Sequence, residues 1–323
     1  MARLWAIACY FNPVGYRRRL ENYHTFKRNL MVPLVTVELA YRDGFELPDD
    51  AADTLIRLRG RDVLWQKERL LNLALRALPA ECDAVAWLDC DIVFEDGDWS
   101  ERALRALDRY PMLQPFERLY ELSESACNEA PLDAFKVAPA YSVAHLLARG
   151  EVTPGLLRGV MRARQTGTSG LAWVARRELL DRDGFYDACV IGSGNRAMIS
   201  AALGRPDDAI HYLRMKPRWA EHYLTWAEGH AARVQGNIGC VEGSLMHLWH
   251  GHLEHRRYDD RHSGFAIFDY DPSRDIALDD EGCWRWNSDK PEMHEFVTRY
   301  FRERREDGVD GARRDMESSR SDA

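Results

Sequence analysis

The stretch AVAWLDCD, residues 84–91, constrains this chain more than any other. Ala84 to Leu88 is a continuous apolar run, the pattern of a strand covered on both faces in a mostly parallel sheet. It stops at two carboxylates, Asp89 and Asp91, and a stretch rich in acids follows to Asp98. Residues two apart share one face of a strand, and at the strand's end both can reach one ligand. Hard divalent cations take oxygen ligands of this kind, and the carboxyl edge of a parallel sheet is where nucleotides bind. An Asp pair can also do no more than end a strand, so the rest of the chain has to decide.

The preceding residues read as alternating strands and helices. Leu4 to Cys9 is a buried strand by its apolar run, closed by Asn12-Pro13 and Gly15. Helical spacing from Leu20 to Met31 follows, then LVTVEL as a second strand. In such a βαβ unit the loop after the first strand, Tyr10 to Gly15, lies at the nucleotide edge. Thr54 to Leu58 reads as another strand, and WQKERLLNLALRALP as a helix ended by Pro79. Lys67, Arg69 and Asn72 lie in its first half, where the helix dipole favours anions. A nearby anionic ligand accounts for them, and so does a solvated polar face.

After the Asp pair, a helix over Trp99–Asp108 and a strand from Met112 to Pro115 are expected. Residues 117–166 lose periodicity and contain Pro131, Pro139, Pro154 and Gly155, the texture of a lid, an insertion or an acceptor-binding region. Leu171–Ala175 suits a strand and Arg176–Arg182 a short helix. Gly192, Gly194 and Asn195 then lead into MISAALG, a glycine-rich loop opening a helix with Asn195 as its cap. Such a helix start can hold an anion, although GSGN also makes an ordinary tight turn. A helical segment spans Pro217–Val234, and five of the chain's 11 histidines then fall within 247–262. At a strand's end, neutral imidazoles make good ligands for manganese or zinc. The last helix, Glu292–Arg305, carries a core face, and the charged residues 306–323 read as a disordered tail.

Composition excludes several classes. A net charge of −8 argues against a broadly basic nucleic-acid surface. No apolar run approaches the roughly 18 residues of a membrane span. Arg17 to Arg19 follow the apolar opening instead of preceding it, the order of a first strand and not of a signal peptide. Seven cysteines without a Cys-x-x-Cys pair fit reduced thiols and a cytoplasmic protein.

Together the early βαβ unit, WLDCD, the GLAWVARREL…GFYD…GSGN stretch and MHLWHG resemble the GT-A class of nucleotide-sugar-dependent glycosyltransferases. Residues 167–204 resemble the galactosyltransferase and polypeptide N-acetylgalactosaminyltransferase relatives in particular. The resemblance spans roughly residues 3–255. It implies a Rossmann-like α/β/α sandwich with a mostly parallel central sheet, in one domain over 1–305. Residues 1–115 would form its nucleotide-binding half, and 116–305 the half that binds the acceptor and completes the metal site.

The resemblance implies sugar transfer from a nucleoside-diphosphate sugar, a UDP-sugar foremost, to an acceptor hydroxyl, with Mn²⁺ or Mg²⁺ as cofactor. The acceptor class, whether glycan, lipid, protein, small molecule or modified nucleic acid, stays open. Asp91 would ligate the metal, Asp89 would hold the ribose or join the metal shell, and His247, with His250 second, would match the late metal-binding histidine. Tyr10, Phe11 and Asn12, with Lys67, Arg69 and Asn72, would line the nucleotide. Inverting relatives place a carboxylate near Asn195, and an amide cannot take a proton at neutral pH. A base elsewhere, such as Asp187 or Glu242, a retaining mechanism, or loss of activity are the alternatives. A metal-dependent hydrolase using the histidines, and a non-catalytic sugar- or nucleotide-binding descendant, are the rival readings.

Overall fold

The computed structural model describes residues 3–41, 44–127, 139–151, 167–258 and 260–308. The opening run forms β1 (Leu4–Phe11), followed by helix α1 (Arg17–Asn29) and β2 (Leu34–Ala40). β3 (Thr54–Arg59), helix α2 (Lys67–Arg76) and β4 (Ala84–Leu88) continue the alternation. β1 lies parallel between β2 and β4, and β2 lies parallel to β3. Tyr10 pairs with Glu38 and Phe11 with Leu39. The first strand therefore runs two residues past the expected Cys9, and Tyr10 and Phe11 stand on its end instead of in the loop.

Downstream come β5 (Ile92–Phe94), helix α3 (Trp99–Ala106), β6 (Met112–Gln114), β7 (Arg118–Glu121), β8 (Ala140–Ser142) and β9 (Gly167–Thr168). Next are β10 (Ala172–Arg176), β11 (Ile238–Cys240) and β12 (Ser244–His247). The main sheet has the order β11-β6-β10-β4-β1-β2-β3. β10 is antiparallel to both β4 and β6, while β6 and β11 are parallel to each other. The expected α/β fold with a mostly parallel sheet is present, with one reversed strand at its centre.

Alternation along the strands sends side chains to two cores. Ile7, Val85, Trp87 and Trp173 pack with Leu70, Leu71 and Ala74 of α2 on one face. Ala6, Ala8, Ala84, Ala86 and Leu88 pack with Phe26 of α1 and Trp99 and Ala103 of α3 on the other. Helices thus cover both faces, and full burial of a large side chain such as Ile7, Val85, Leu70 or Phe26 contributes about 1.5–3 kcal/mol. Trp173 is fully buried and stacked at 6.2 Å on Trp87. It is a core residue.

A second sheet, β5-β12-β7-β8-β9, adjoins the end of β4. Parts of the expected lid or acceptor region, 128–138 and 152–166, lie outside the described residues, and so do 309–323 of the expected tail. The first residues of that tail are built into the fold: Glu306 is buried between Arg19 and Arg304. All seven cysteines are free thiols. Among the described residues no helix is long and apolar enough to cross a membrane.

Candidate functional site

The Asp89–Asp91 turn carries the chain from the main sheet into the second. Leaving β4, the amide of Asp89 donates to Leu171 O at 2.8 Å, and Asp91 O accepts from Leu248 N at 2.8 Å. β5 then pairs antiparallel with β12 in a register that sets His247 opposite Ile92. This register brings residue 247 beside residue 91, although 156 positions separate them in the chain.

Asp91, His247 and His250 present one ligand atom each within 4.8 Å of one another. His250 Nε2 lies 3.0 Å and His247 Nε2 3.6 Å from the Asp91 carboxylate. His247 Nδ1 meets Glu121 at 2.6 Å. A carboxylate on the far nitrogen fixes which ring nitrogen turns inward, the usual outer partner of a metal-bound histidine. Buried Asp91 Oδ1 has no hydrogen-bond partner. An unsatisfied buried carboxylate oxygen facing two imidazoles is a donor set suited to a divalent cation. His250 fits with one adjustment, because Arg256 Nη2 donates to the same Nε2 at 2.6 Å and an ion there would displace it.

Burial opposes charge on these groups, but Glu121 and Asp91 raise His247 to about 10. Burial and then Arg256 lower His250 to about 3. Despite burial, His250 and His247 hold Asp91 well below the usual carboxylate range. The remaining members of the histidine cluster stand apart. His262 contacts Ser193 Oγ at 3.0 Å, and His252 and His255 pack on one another.

The trio opens on a cleft of about 710 Å³ whose lining includes Tyr10, Phe11, Lys67, Asp89 and Asn195. Asp89 does not face the trio; it is paired with Lys67 Nζ. Asn12 turns away to shape the strand-end turn, its Oδ1 accepting from Gly15 N at 3.1 Å and Tyr16 N at 2.9 Å. Arg69 and Asn72 are not in the lining either. Arg69 Nη1 and Asn72 Nδ2 donate to Asp187 at 3.2 and 3.0 Å, and these bonds fasten the 185–187 segment to α2. Asp187 is thereby occupied and outside the cleft, and Glu242 is exposed at the turn before β12. Neither expected alternative base reaches the site.

Glu68 does reach it, and nothing in the sequence pattern separates it from its polar neighbours. Its side chain is buried in the cleft wall against the backbone of Gly194, where any added side chain would collide with its carboxyl. Burial lifts it to about 7, against the attraction of Lys67. Gly194 opens the helix Gly194–Ala202, and Ser193, not Asn195, occupies the cap position with φ +75° and no side-chain cap bond. Leu171, also in the lining, has φ +77°. With Arg257 at φ +49°, three non-glycine residues in the left-handed region line one cleft, and backbone strain of this kind collects at functional sites.

No protein-family model matches the sequence, and no curated protein matches it. Among solved structures the chain is similar to a mannosyltransferase of Pyrobaculum calidifontis, solved with GDP-Man and Mn²⁺. Identity is 15% over 82% of this chain and 63% of that one, with a TM-score of 0.42. It is similar too to glucosyl-3-phosphoglycerate synthase of Mycobacterium tuberculosis, solved with Mn²⁺, UDP and phosphoglyceric acid, at 14% identity over 83% and 77% with a TM-score of 0.40. TarS 1-349 of S. aureus matches at 13% over 82% and 64%, also with a TM-score of 0.40.

Proposed function

We propose that this protein transfers a sugar from a nucleoside-diphosphate sugar to an acceptor hydroxyl with the help of Mn²⁺ or Mg²⁺. The observation that carries the reading is the meeting of Asp91, His247 and His250 at the carboxyl end of β4, with Asp91 Oδ1 unsatisfied. The resemblance of the WLDCD and MHLWHG stretches to GT-A glycosyltransferases supports it. The mannosyltransferase and the synthase named above were solved with Mn²⁺ and a nucleotide or nucleotide sugar, which agrees with that cofactor choice.

Asp91, His247 and His250 would hold the cation, which would supply Lewis-acid stabilisation to the departing diphosphate. Tyr10 and Phe11 form the wall for the base, and Asp89, steadied by Lys67, accepts from the ribose hydroxyls. With a cation on His250 Nε2, Arg256 would lose that acceptor and its guanidinium would be available to the phosphates. Glu68 takes the proton of the acceptor hydroxyl as that oxygen bonds to the anomeric carbon and the carbon–phosphate-oxygen bond breaks. A carboxyl lifted to about 7 has the strength a general base needs near neutral pH.

The test is thermal stability with UDP-, GDP-, CMP- and dTDP-sugars, each with Mn²⁺ and with chelator. One nucleotide should raise the melting temperature only with the metal, since a ligand that binds only the folded state stabilises it. Release of free sugar without any acceptor would favour the hydrolase instead.

A further inference from the structure

Five mostly buried arginines line the cleft; one of them, Arg256, donates to His250 Nε2, and the other four fall into two pairs. Arg19 and Arg304 share the buried carboxylate of Glu306, each at 2.5 Å. Arg196 and Arg261 have no carboxylate within ion-pair distance among the described residues, although only 8% and 4% of their surfaces are exposed. Arg196 makes no hydrogen bond to a described residue; its guanidinium lies 3.7 Å from the ring centroid of Tyr212. Asp208 attracts it from a distance but is engaged by Arg205 at 3.0 Å. Arg261 donates only to neutral groups: Ser193 Oγ at 2.6 Å, the Tyr300 hydroxyl and His262 Nε2 at 3.3 Å.

Leaving a buried charge uncompensated costs several kcal/mol, and two neighbouring guanidiniums add their mutual repulsion. Burial and then Arg261, against the pull of Tyr212 and Asp208, bring Arg196 down to about 10. The protein neutralises one of these pairs with its own carboxylate and leaves the other pair without one, as it does Arg256, which rests on His250 and Tyr258. Arg196 and Arg261 both line the cleft, beside the uncapped start of the helix Gly194–Ala202, and Arg196 lies in its first turn. Guanidiniums, a hydroxyl and a helix start gathered in one place are the partners of an oxyanion. This group is separate from the Asp91–His247–His250 set, whose guanidinium neighbour is Arg256.

We propose that the acceptor is an anionic molecule whose phosphate or carboxylate group is held by Arg196 and Arg261, with its hydroxyl beside Glu68. This inference rests on the sugar-transfer reading, and it names the acceptor's chemical class.

Full-length protein is titrated with inorganic phosphate, and separately with acetate, in the presence and absence of saturating UDP-sugar and Mn²⁺. Binding is read by calorimetry and melting temperature in the wild type, R196Q, R196K and D91N. Phosphate should bind whether or not the donor site is filled. R196Q should weaken it at least tenfold, R196K should recover part of that loss, and D91N should leave it unchanged. Because it removes an unpaired buried charge, R196Q should melt above the wild type without ligand, which also shows that it folds. Acetate acting in place of phosphate through Arg196 assigns a carboxylate; phosphate alone assigns a phosphate. Phosphate binding that disappears once nucleotide is bound, or that survives R196Q, overturns the inference and leaves the transfer reading intact. If no nucleotide binds while phosphate still does so through Arg196, the anion site stands and the transfer reading falls.

Discussion

Asp89 and Asp91 are two positions apart but serve different neighbours, Lys67 and the histidine pair. The sequence made the two carboxylates visible and tied them to a strand's end. It could not show that the chain turns between them from one sheet into another, so that they no longer share a face. D91A should abolish metal-dependent nucleotide binding and turnover while the apo fold is kept, as checked by circular dichroism. A folded, active D91A would remove the metal assignment. Glu68 was hidden for a different reason: between Lys67 and Arg69 it looks like part of a solvated helix face, and only burial distinguishes it.

The folded-state pKa of Glu68, about 7, stands above its ordinary 4.5. Its favourable contribution is therefore complete below the ordinary value and lost as pH rises through about 7. With Lys67, Asp89 and Asp187 acting on it, the full excursion is on the order of 3 kcal/mol. E68Q should thus be more stable than the wild type at pH 8.5, with the difference shrinking by pH 5.5, and its turnover should fall about 10²–10⁴-fold with nucleotide binding kept. Equal denaturation midpoints for the two proteins across this pH range would count against the buried, lifted carboxyl.

At the scale of elements, periodicity served well where one face is apolar. α2, α3 and the helix Pro217–Val234 are close to their expected spans. The reversal of β10 was not legible, because a strand buried on both faces is a continuous apolar run in either direction. Nor was the start of α1. Its own cap residue Tyr16 offers no side-chain bond, and its first turn has no acid. The carboxylate of Asp307 accepts instead from Arg17 N at 3.0 Å and Arg18 N at 2.8 Å. A cap borrowed from 290 residues away leaves no local signature. D307A should cost about 1–2 kcal/mol, read from urea denaturation with an unchanged slope. A loss below a few tenths would mean that water caps the helix equally well.

Across the whole molecule, the cleft is assembled from both ends of the chain. Tyr10, Phe11 and Arg19 come from the first unit, and Arg304 and Glu306 from beyond the last helix (Pro291–Glu303). Tyr16 Oη donates to Arg302 O at 2.7 Å and accepts from Arg305 N at 3.0 Å, reinforcing the same closure. During synthesis the first βαβ unit leaves the ribosome early, yet Arg19, whose Nη1 donates to Phe11 O at 2.6 Å, has no carboxylate for its guanidinium until Glu306 emerges. A nascent chain halted at residue 303 would carry nearly the whole sheet and still lack the carboxylate and the cap that join its beginning to its end. The cleft is then among the last parts to set, and an interrupted chain would be recognisable to proteases by a loose α1 before it could bind anything.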